Sequence, residues 1–486
     1  MNYISLSFAT LVAALLIVYY VLPKKWRLQG VTLLLGSLLF YLSFDLRHIL
    51  FLLFTAASTY FSARLIQKKR GANLVLILCI AVNVAVWYAV KALPWTIALS
   101  NKFFSLIDSS LKIGDVSIIV PIGISYFTLQ AIGYLVDVYK GKIEAEKNPL
   151  KYLLFLSFFP AVVQGPISRY TDLAPQLFEQ KSFFFENFRK GLLLVLFGFV
   201  KKVVVADRIG IFVNTAFEQY HTLNGIILYL VAVGYAIQLY MDFSGCVDIC
   251  RGVSKLFGIE LVNNFNRPYL SRSIKEFWSK WHMSLSGWLK DYVYIPLGGN
   301  RKGTARKYLN LLITFLVSGL WHGAEFSFFV WGALHAIYQI VGQCTDTFRK
   351  KVKTLLCVEA GSVSEKIFQT VITFNLVTFA WVFFRAPSLS VAVKYIYRMF
   401  TTFFLDGSSI FTFGVGEGHF LILFLHLIVF FAVDLCSKSQ DAAVEGILKT
   451  HLIIRWVIYL LLIFDVILFG AYGSGYDMSG FMYGGF

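Results

Sequence analysis

Apolar stretches of membrane-spanning length recur along the whole chain, and they constrain its fold more than any other feature. A helix crosses the hydrocarbon core of a bilayer with roughly 17–25 apolar residues. Several of the candidates are short or are interrupted by proline and glycine, so the sequence predicts about eleven crossings together with re-entrant and interfacial helices. The candidate spans lie near residues 4–22, 28–44, 48–66, 73–92, 116–137, 150–166, 187–207, 224–242, 307–321, 324–342, 366–384, 388–404, 419–436 and 453–472.

Composition agrees with an all-α integral membrane protein in contact with the lipid bilayer. Only 15% of the residues are charged and 58% are hydrophobic, whereas soluble domains carry about 25% charged residues. The net charge of +17 indicates topology and headgroup contact rather than nucleic-acid binding. The six cysteines lack metal-ligand spacing, so we expect no metal site and interpret them as small core residues.

One apolar stretch contains an ionisable residue. It reads Ser318-Gly-Leu-Trp-His-Gly-Ala-Glu-Phe-Ser-Phe-Phe-Val-Trp-Gly-Ala-Leu-His335. An imidazole at membrane depth is costly, so such residues usually face a protein interior or a cavity and have a function. His322 is therefore the main candidate for chemistry, and a buried histidine that only braces helices is the alternative. The glycines at 319, 323 and 332 permit close approach of another backbone.

Residues 263–310 differ in composition from the rest, and no window in them is apolar enough to span a bilayer. We expect this stretch to lie on, or dip into, the cytoplasmic face. Six apolar residues fall near one face of a helix, which predicts an interfacial amphipathic helix: Ile274, Phe277, Trp278, Trp281, Leu285 and Trp288. A sharper interpretation adds an anionic ligand: the basic side chains and the Gly298-Gly299 turn suit the phosphates of a nucleotide-like acyl carrier, and lipid headgroups are the alternative partners of the same charges.

Polar interruptions elsewhere have structural interpretations. Asp242 and Asp248 end a long apolar run, and we expect them to act as caps or ion-pair partners that hold helices. The segments 116–137 and 158–170 are broken by proline and glycine. Either their backbone lines a cavity, or neighbouring helices accommodate a proline kink.

Several ordered motifs carry a family resemblance. They are Trp281-His-Met-Ser-Leu-Ser, Leu289-Lys-Asp-Tyr-Val-Tyr-Ile-Pro-Leu-Gly-Gly-Asn-Arg, and Gly319-Leu-Trp-His-Gly-Ala followed by Trp331-Gly-Ala-Leu-His335. Together they resemble the membrane-bound O-acyltransferase (MBOAT) family. The motifs Asp242-Phe-Ser-Gly and Trp381-Val-Phe-Phe-Arg-Ala386 are most similar to its bacterial branch, which includes the membrane subunits of alginate and peptidoglycan O-acetylation. The membrane protein of teichoic-acid D-alanylation is a close relative.

The resemblance implies a ring of helices around a central funnel or tunnel, with a cytoplasmic opening for the acyl donor and an extracytoplasmic opening for the acceptor. It implies that His322 is the essential histidine and that His282 is the second histidine on the cytoplasmic side. Five further residues are expected to line the tunnel: Trp281, Trp321, Asp291, Asn300 and Trp331. His335 departs from the family pattern, because Ala336 stands where a glycine usually follows, and we assign it no chemistry.

The chain ends on Phe481-Met-Tyr-Gly-Gly-Phe486, which resembles the Phe-x-Tyr-x-x-Phe ending of this branch. Tyr483 is a candidate acyl relay, because a phenyl ester can pass its acyl group on. The alternative is an aromatic anchor at the membrane interface.

These observations predict an N-terminal helical part (1–115), an acyltransferase core (116–390) and C-terminal helices with an extracytoplasmic tail (391–486). The expected function is acetyl transfer in the inner (plasma) membrane of a bacterium, from cytoplasmic acetyl-CoA towards polysaccharide or peptidoglycan, without a tightly bound cofactor. In this branch the acyl group leaves on an extracytoplasmic SGNH-type acetyltransferase partner. D-alanyl transfer from a carrier protein and proton-coupled transport are the alternatives.

Overall fold

The computed structural model describes residues 1–21, 26–68, 71–107, 112–114, 118–359, 361–403 and 413–472. Within these ranges the regular structure is helical, as the composition predicts, and no strand occurs. Six of the described helices are long and apolar enough to cross a membrane, namely α3, α4, α11, α17, α19 and α21 in the numbering below.

The helices of the first half are α1 (Leu6–Val21), α2 (Trp26–Leu42), α3 (Leu46–Gln67), α4 (Ala72–Lys91), α5 (Leu93–Ile107), α6 (Ile124–Tyr139), α7 (Pro149–Ser157), α8 (Tyr170–Phe178), α9 (Phe185–Phe199), α10 (Asp207–Glu218) and α11 (Gly225–Leu256). Those of the second half are α12 (Ile274–Trp278), α13 (Met283–Leu289), α14 (Thr304–His322), α15 (Phe326–Cys344), α16 (Asp346–Leu355), α17 (Val363–Arg385), α18 (Leu389–Thr401), α19 (Glu417–Cys436), α20 (Gln440–Lys449) and α21 (Leu452–Phe469). Two π-helical segments, Val200–Ala206 and Lys290–Tyr294, and a short 3-10 turn, Pro268–Leu270, complete the set.

The chain forms two compact units. The first contains residues 1–195 and 246–262, and the second contains residues 196–245 and 263–472. In the first unit, the broken segment after α7 is irregular and buried from Phe158 to Ser168. Its backbone groups form hydrogen bonds inside the protein. The Phe159 carbonyl accepts a hydrogen bond from the Tyr3 hydroxyl, and the Phe159 N–H donates one to the Ser37 hydroxyl. Irregular backbone at membrane depth is tolerated where protein buries it.

The second unit contains His282, His322 and His335, and the antiparallel pair α14 and α15 carries two of them. Only residues 323–325 join the two helices, so they must lie side by side. A Cβ atom added at Gly319 would lie 2.4 Å from the Phe328 carbonyl oxygen, and one at Gly332 would lie 2.4 Å from the Phe315 carbonyl oxygen. The expected close approach at these two glycines is confirmed, and their missing side chains let the backbones touch.

Two sequence predictions are wrong. Residues 274–288 do not form one interfacial helix, because His282 adopts φ +43° and separates α12 from α13. The apolar residues of this stretch are buried in the protein instead of facing lipid. The cysteines are not all core residues: Cys79, Cys246 and Cys250 are buried, but Cys344, Cys357 and Cys436 are exposed.

The contact between α14 and α15 generates the first prediction. In Gly332→Ala the new methyl group cannot fit beside the Phe315 carbonyl, so the helices must separate, and overpacking of this kind costs about 1–3 kcal/mol. We expect a lower melting temperature of the purified protein. Gly342→Ala lies on the same helix, but its added Cβ would meet no other part of the described structure within 4 Å; it is the matched control and should not lower the melting temperature. Equal effects of the two changes would contradict the close-contact account.

Candidate active site

His322 and His282 lie in one aromatic cluster in the second unit. His322 is the last residue of α14, and His282 immediately precedes α13. Both are buried. The Trp321 ring lies between them, with its centroid 4.7 Å from that of His322 and 5.9 Å from that of His282. The two candidate histidines are therefore brought together, with one indole separating their rings.

Aromatic side chains from three helices surround His322. Trp331 of α15 has its ring centroid 5.1 Å from the His322 ring, and Phe384 of α17 lies at 5.0 Å. Trp381, one turn before Phe384, stacks on Trp331 at 5.7 Å and contacts Trp281 at 5.2 Å. Large apolar rings exclude water from the imidazole, which is what a reactive acyl group requires.

His282 is held by a different helix. Its ring meets Phe243 of α11 edge to face, with centroids 4.8 Å apart. Burial lowers the pKa of His282 to about 3, because a low-dielectric environment disfavours the charged imidazolium. This residue lies outside the six candidate spans, and it is a neutral imidazole at physiological pH.

Asp242 precedes Phe243 and forms the expected ion pair. Its carboxylate lies 2.7 Å from the Lys202 ammonium, which also contacts Asp207 at 2.8 Å. Lys202 belongs to the first π-helical segment, and both Lys202 and Asp242 are almost completely buried. A lone buried charge would be strongly destabilising. The ion pair therefore holds α11 in the position that places Phe243 beside His282.

A polar stripe runs down one face of α14 to His322. Asn310, Thr314, Ser318 and His322 follow one another at intervals of four residues, and all four are buried. Side chains with this spacing share one helix face, and twelve residues of helix cover about 18 Å. At the far end the Asn310 amide donates to the Gly299 carbonyl at 3.0 Å. The stripe therefore connects the Gly298-Gly299 turn of the basic segment with His322.

A cavity of about 330 Å³ lies beside this stripe. Thr314 and Ser318 line it from α14, and Trp278 and Phe315 form aromatic walls. Two exposed lysines, Lys275 and Lys290, belong to its lining as well. The Ser318 hydroxyl has no hydrogen-bond partner among the described residues, although buried hydroxyls normally have one. A polar ligand in the cavity would supply that partner.

The other candidate residues lie elsewhere. Asn300 is exposed and accepts a hydrogen bond from the Tyr294 hydroxyl, so it stands outside the buried cluster. Asp291 is partly exposed on the second π-helical segment. Tyr483 lies outside the described residues. The roles of all these residues stay predictions.

Sequence reasoning missed the cavity walls and the stripe. The amphipathic pattern places Trp278 on a membrane-facing surface, and no pattern assigns Ser318 a role. The signal for the stripe was present in the sequence, because polar residues repeat every four positions from Asn310 to His322. In an apolar helix that repeat predicts a face turned away from lipid.

Comparison with known proteins decides the family. The model of the membrane-bound O-acyltransferase family matches residues 145–384, a range that contains the aromatic cluster and the stripe. A peptidoglycan O-acetyltransferase from Helicobacter pylori is 36% identical over 407 residues, which cover 78% of this chain and 73% of the relative. The chain belongs to the membrane-bound O-acyltransferase family.

Two further relatives extend the comparison. A probable alginate O-acetylase from Pseudomonas aeruginosa is 40% identical over 284 residues, covering 58% of this chain and 52% of the relative. The chain thus spans about half the length of that relative. A teichoic acid D-alanyltransferase from Bacillus subtilis is 30% identical over 279 residues, covering 54% of this chain and 68% of the relative. The resemblance stated from the motifs is confirmed, including its bacterial O-acetylation branch.

The buried His282 generates a prediction about pH. Its pKa is lowered in the folded protein, so between about pH 6.5 and pH 3 the unfolded chain binds a proton that the folded protein does not. The resulting stability is complete above pH 6.5 and falls by about 1.4 kcal/mol per pH unit as the pH drops below that value. His282→Gln removes this titration. We therefore expect the melting temperature of the native protein to fall more steeply from pH 6.5 to 4.5 than that of the variant. Parallel curves would show that His282 is not held neutral.

Proposed function

We propose that this protein is an O-acetyltransferase of a bacterial inner membrane. It takes an acetyl group from a cytoplasmic thioester, acetyl-CoA, and delivers it to the opposite face for O-acetylation of a polysaccharide or peptidoglycan. The observation that carries the proposal is the buried His322 at the end of the polar stripe. An imidazole in an aromatic enclosure, reached by a path of hydrogen-bonding groups, suits transfer of an acyl group protected from water.

The cavity beside α14 would hold the donor. A pantetheine arm carries amides along its length and a thioester at its tip. The stripe offers matching side chains over about 18 Å of helix. The Ser318 hydroxyl, which has no hydrogen-bond partner in the described part of the chain, lies one turn before His322. Lys275 and Lys290 in the cavity lining would attract the phosphates of the nucleotide.

His322 would act as the base. Its imidazole takes the proton from an acceptor hydroxyl while the hydroxyl oxygen attacks the thioester carbonyl carbon. The carbon–sulfur bond then breaks, the acetyl group stays on the oxygen as an ester, and the coenzyme leaves as a thiol after the imidazolium returns the proton to sulfur. The surrounding rings of Trp321, Trp331 and Phe384 limit hydrolysis by excluding water.

The acceptor on this chain would be Tyr483, which would pass the acetyl group to an extracytoplasmic SGNH-type partner enzyme. This role is supported by a hydrogen bond that attaches the chain just before the tail, at Ala471, to the π-helical segment Val200–Ala206. The Ala471 N–H donates to the Val203 carbonyl at 2.7 Å, and Val203 follows Lys202, the partner of Asp242. Tyr483 follows Ala471 by twelve positions, and an extended chain of that length reaches about 40 Å.

The architecture would be a ring of about eleven crossing helices around a tunnel. The six long apolar helices account for part of this number, and α1 contributes a shorter apolar helix. D-alanyl transfer from a carrier protein is the second candidate function, because the teichoic acid D-alanyltransferase shares 30% identity with this chain. In that case the cavity would receive a carrier-bound arm instead of a nucleotide.

The purified protein should accept an acetyl label from acetyl-CoA. When the purified chain is incubated with radiolabelled acetyl-CoA, we expect label on Tyr483, detected by intact mass and peptide mapping. His322→Ala should reduce the rate of labelling at least a hundredfold, because general acid–base catalysis contributes about 10²–10⁴-fold. Tyr483→Phe should abolish the label at that site.

An exposed histidine provides the control. His221→Ala changes a residue on the surface of the second unit, and it should label at the native rate. Label that appears only with an acyl carrier protein would favour D-alanyl transfer. Absence of label from both donors would contradict the acyltransferase proposal and favour proton-coupled transport.

A further inference from the structure

We infer that His335 is a positioning residue for the donor, a role that rests on the proposed function of the cavity. The family resemblance gave this residue no chemistry. In the structure it lies on α15 behind the aromatic walls of the cavity. Its neutral ring holds Trp278 in place and contacts Trp331, the indole that touches His322.

A hydrogen bond defines the protonation of His335. The Trp278 Nε1–H donates to His335 Nδ1 at 3.2 Å, so Nδ1 carries no proton. In a neutral imidazole the proton then resides on Nε2. The indole N–H is a donor that requires an acceptor when it is buried. The wall of the cavity therefore depends on the acceptor at position 335.

Simple packing does not explain a histidine here. The ring is fully buried and lies parallel to Phe277 and nearly parallel to Phe315, with centroids 6.4 Å and 6.1 Å away. A phenylalanine would fill the same aromatic space. The histidine instead leaves its Nε2–H without a partner among the described residues, which is unfavourable. The gain that offsets this cost is the acceptor for Trp278.

His335 also connects the cavity wall with His322. Trp331 precedes His335 by one turn of α15, and their ring centroids are 5.2 Å apart. Trp278 contacts Trp331 at 5.7 Å, and Trp331 contacts His322 at 5.1 Å. A change in the Trp278 ring would therefore alter the donor cavity directly and His322 only through one intervening indole. Donor affinity should respond more strongly than the chemical step.

The test compares three single variants and the double variant His335→Phe/Trp278→Phe in the acetyl-transfer assay. His335→Phe keeps the aromatic ring and removes the acceptor, His335→Asn keeps an acceptor, and Trp278→Phe removes the donor. We expect His335→Phe to raise KM for acetyl-CoA about tenfold with kcat within twofold of native, and His335→Asn to remain within threefold of the native KM. Trp278→Phe should resemble His335→Phe, and the double variant should be no worse than either.

Several results would overturn the inference. They are a native KM in His335→Phe, equal KM values for the Phe and Asn variants, or additive effects in the double variant. Ile337→Ala, on the exposed face of the same helix, is the control and should leave both constants unchanged. A lower melting temperature with native constants would assign His335 a structural role only.

A second readout does not depend on the donor. The six native cysteines are first replaced, and Ser318→Cys is then introduced as a single thiol. The rate at which a maleimide labels this thiol measures how accessible the inner end of the cavity is. We expect His335→Phe to increase that rate about tenfold and His335→Asn to leave it near the parent value. If acetyl-CoA proves not to be a donor, the proposed function fails. The maleimide-labelling rate needs no acetyl-CoA, so it still tests whether His335 holds the Trp278 ring in place. Equal rates in the two variants would exclude it.

Discussion

The direct backbone contact between α14 and α15 is the constraint on which the rest of the site depends. At Gly319 and Gly332 an added Cβ would lie 2.4 Å from a carbonyl oxygen of the opposite helix. This approach places His322, at the end of one helix, against Trp331 of the other. The polar stripe of α14 and the aromatic side chains of α15 therefore lie next to each other inside the second unit. An interior that excludes water and still presents hydrogen-bonding groups requires both surfaces in contact.

Electrostatics in the second unit support this geometry. Buried charges are tolerated only when they are paired, and Lys202 is paired with Asp242 and Asp207. The cluster fixes α11 where Phe243 contacts His282. The same π-helical segment accepts the Ala471 N–H through the Val203 carbonyl, so the chain that leads to the C-terminal tail is attached next to the helix beside the histidines.

Much of the site could be predicted from the sequence, because the strongest signals were local. A histidine in an apolar run identified His322, and ordered motifs identified the family and the tryptophans around it. The break at His282 could not be predicted, since no glycine or proline marks that position, and the amphipathic pattern favoured one continuous helix. The bond between Trp278 and His335 joins residues 57 positions apart, and such pairings follow from tertiary packing that periodicity does not encode. The cavity was missed for the same reason.

We propose that the buried polar face of α14 guides a thioester donor to His322. The most direct test is a structure of the protein with a non-hydrolysable thioether analogue of acetyl-CoA. We expect the pantetheine arm to lie along Thr314 and Ser318, with its sulfur end next to His322 and its phosphates near Lys275 and Lys290. An analogue bound instead in the apolar groove lined by Tyr229, Tyr338, Asn375 and Met399, with the α14 cavity empty, would contradict it.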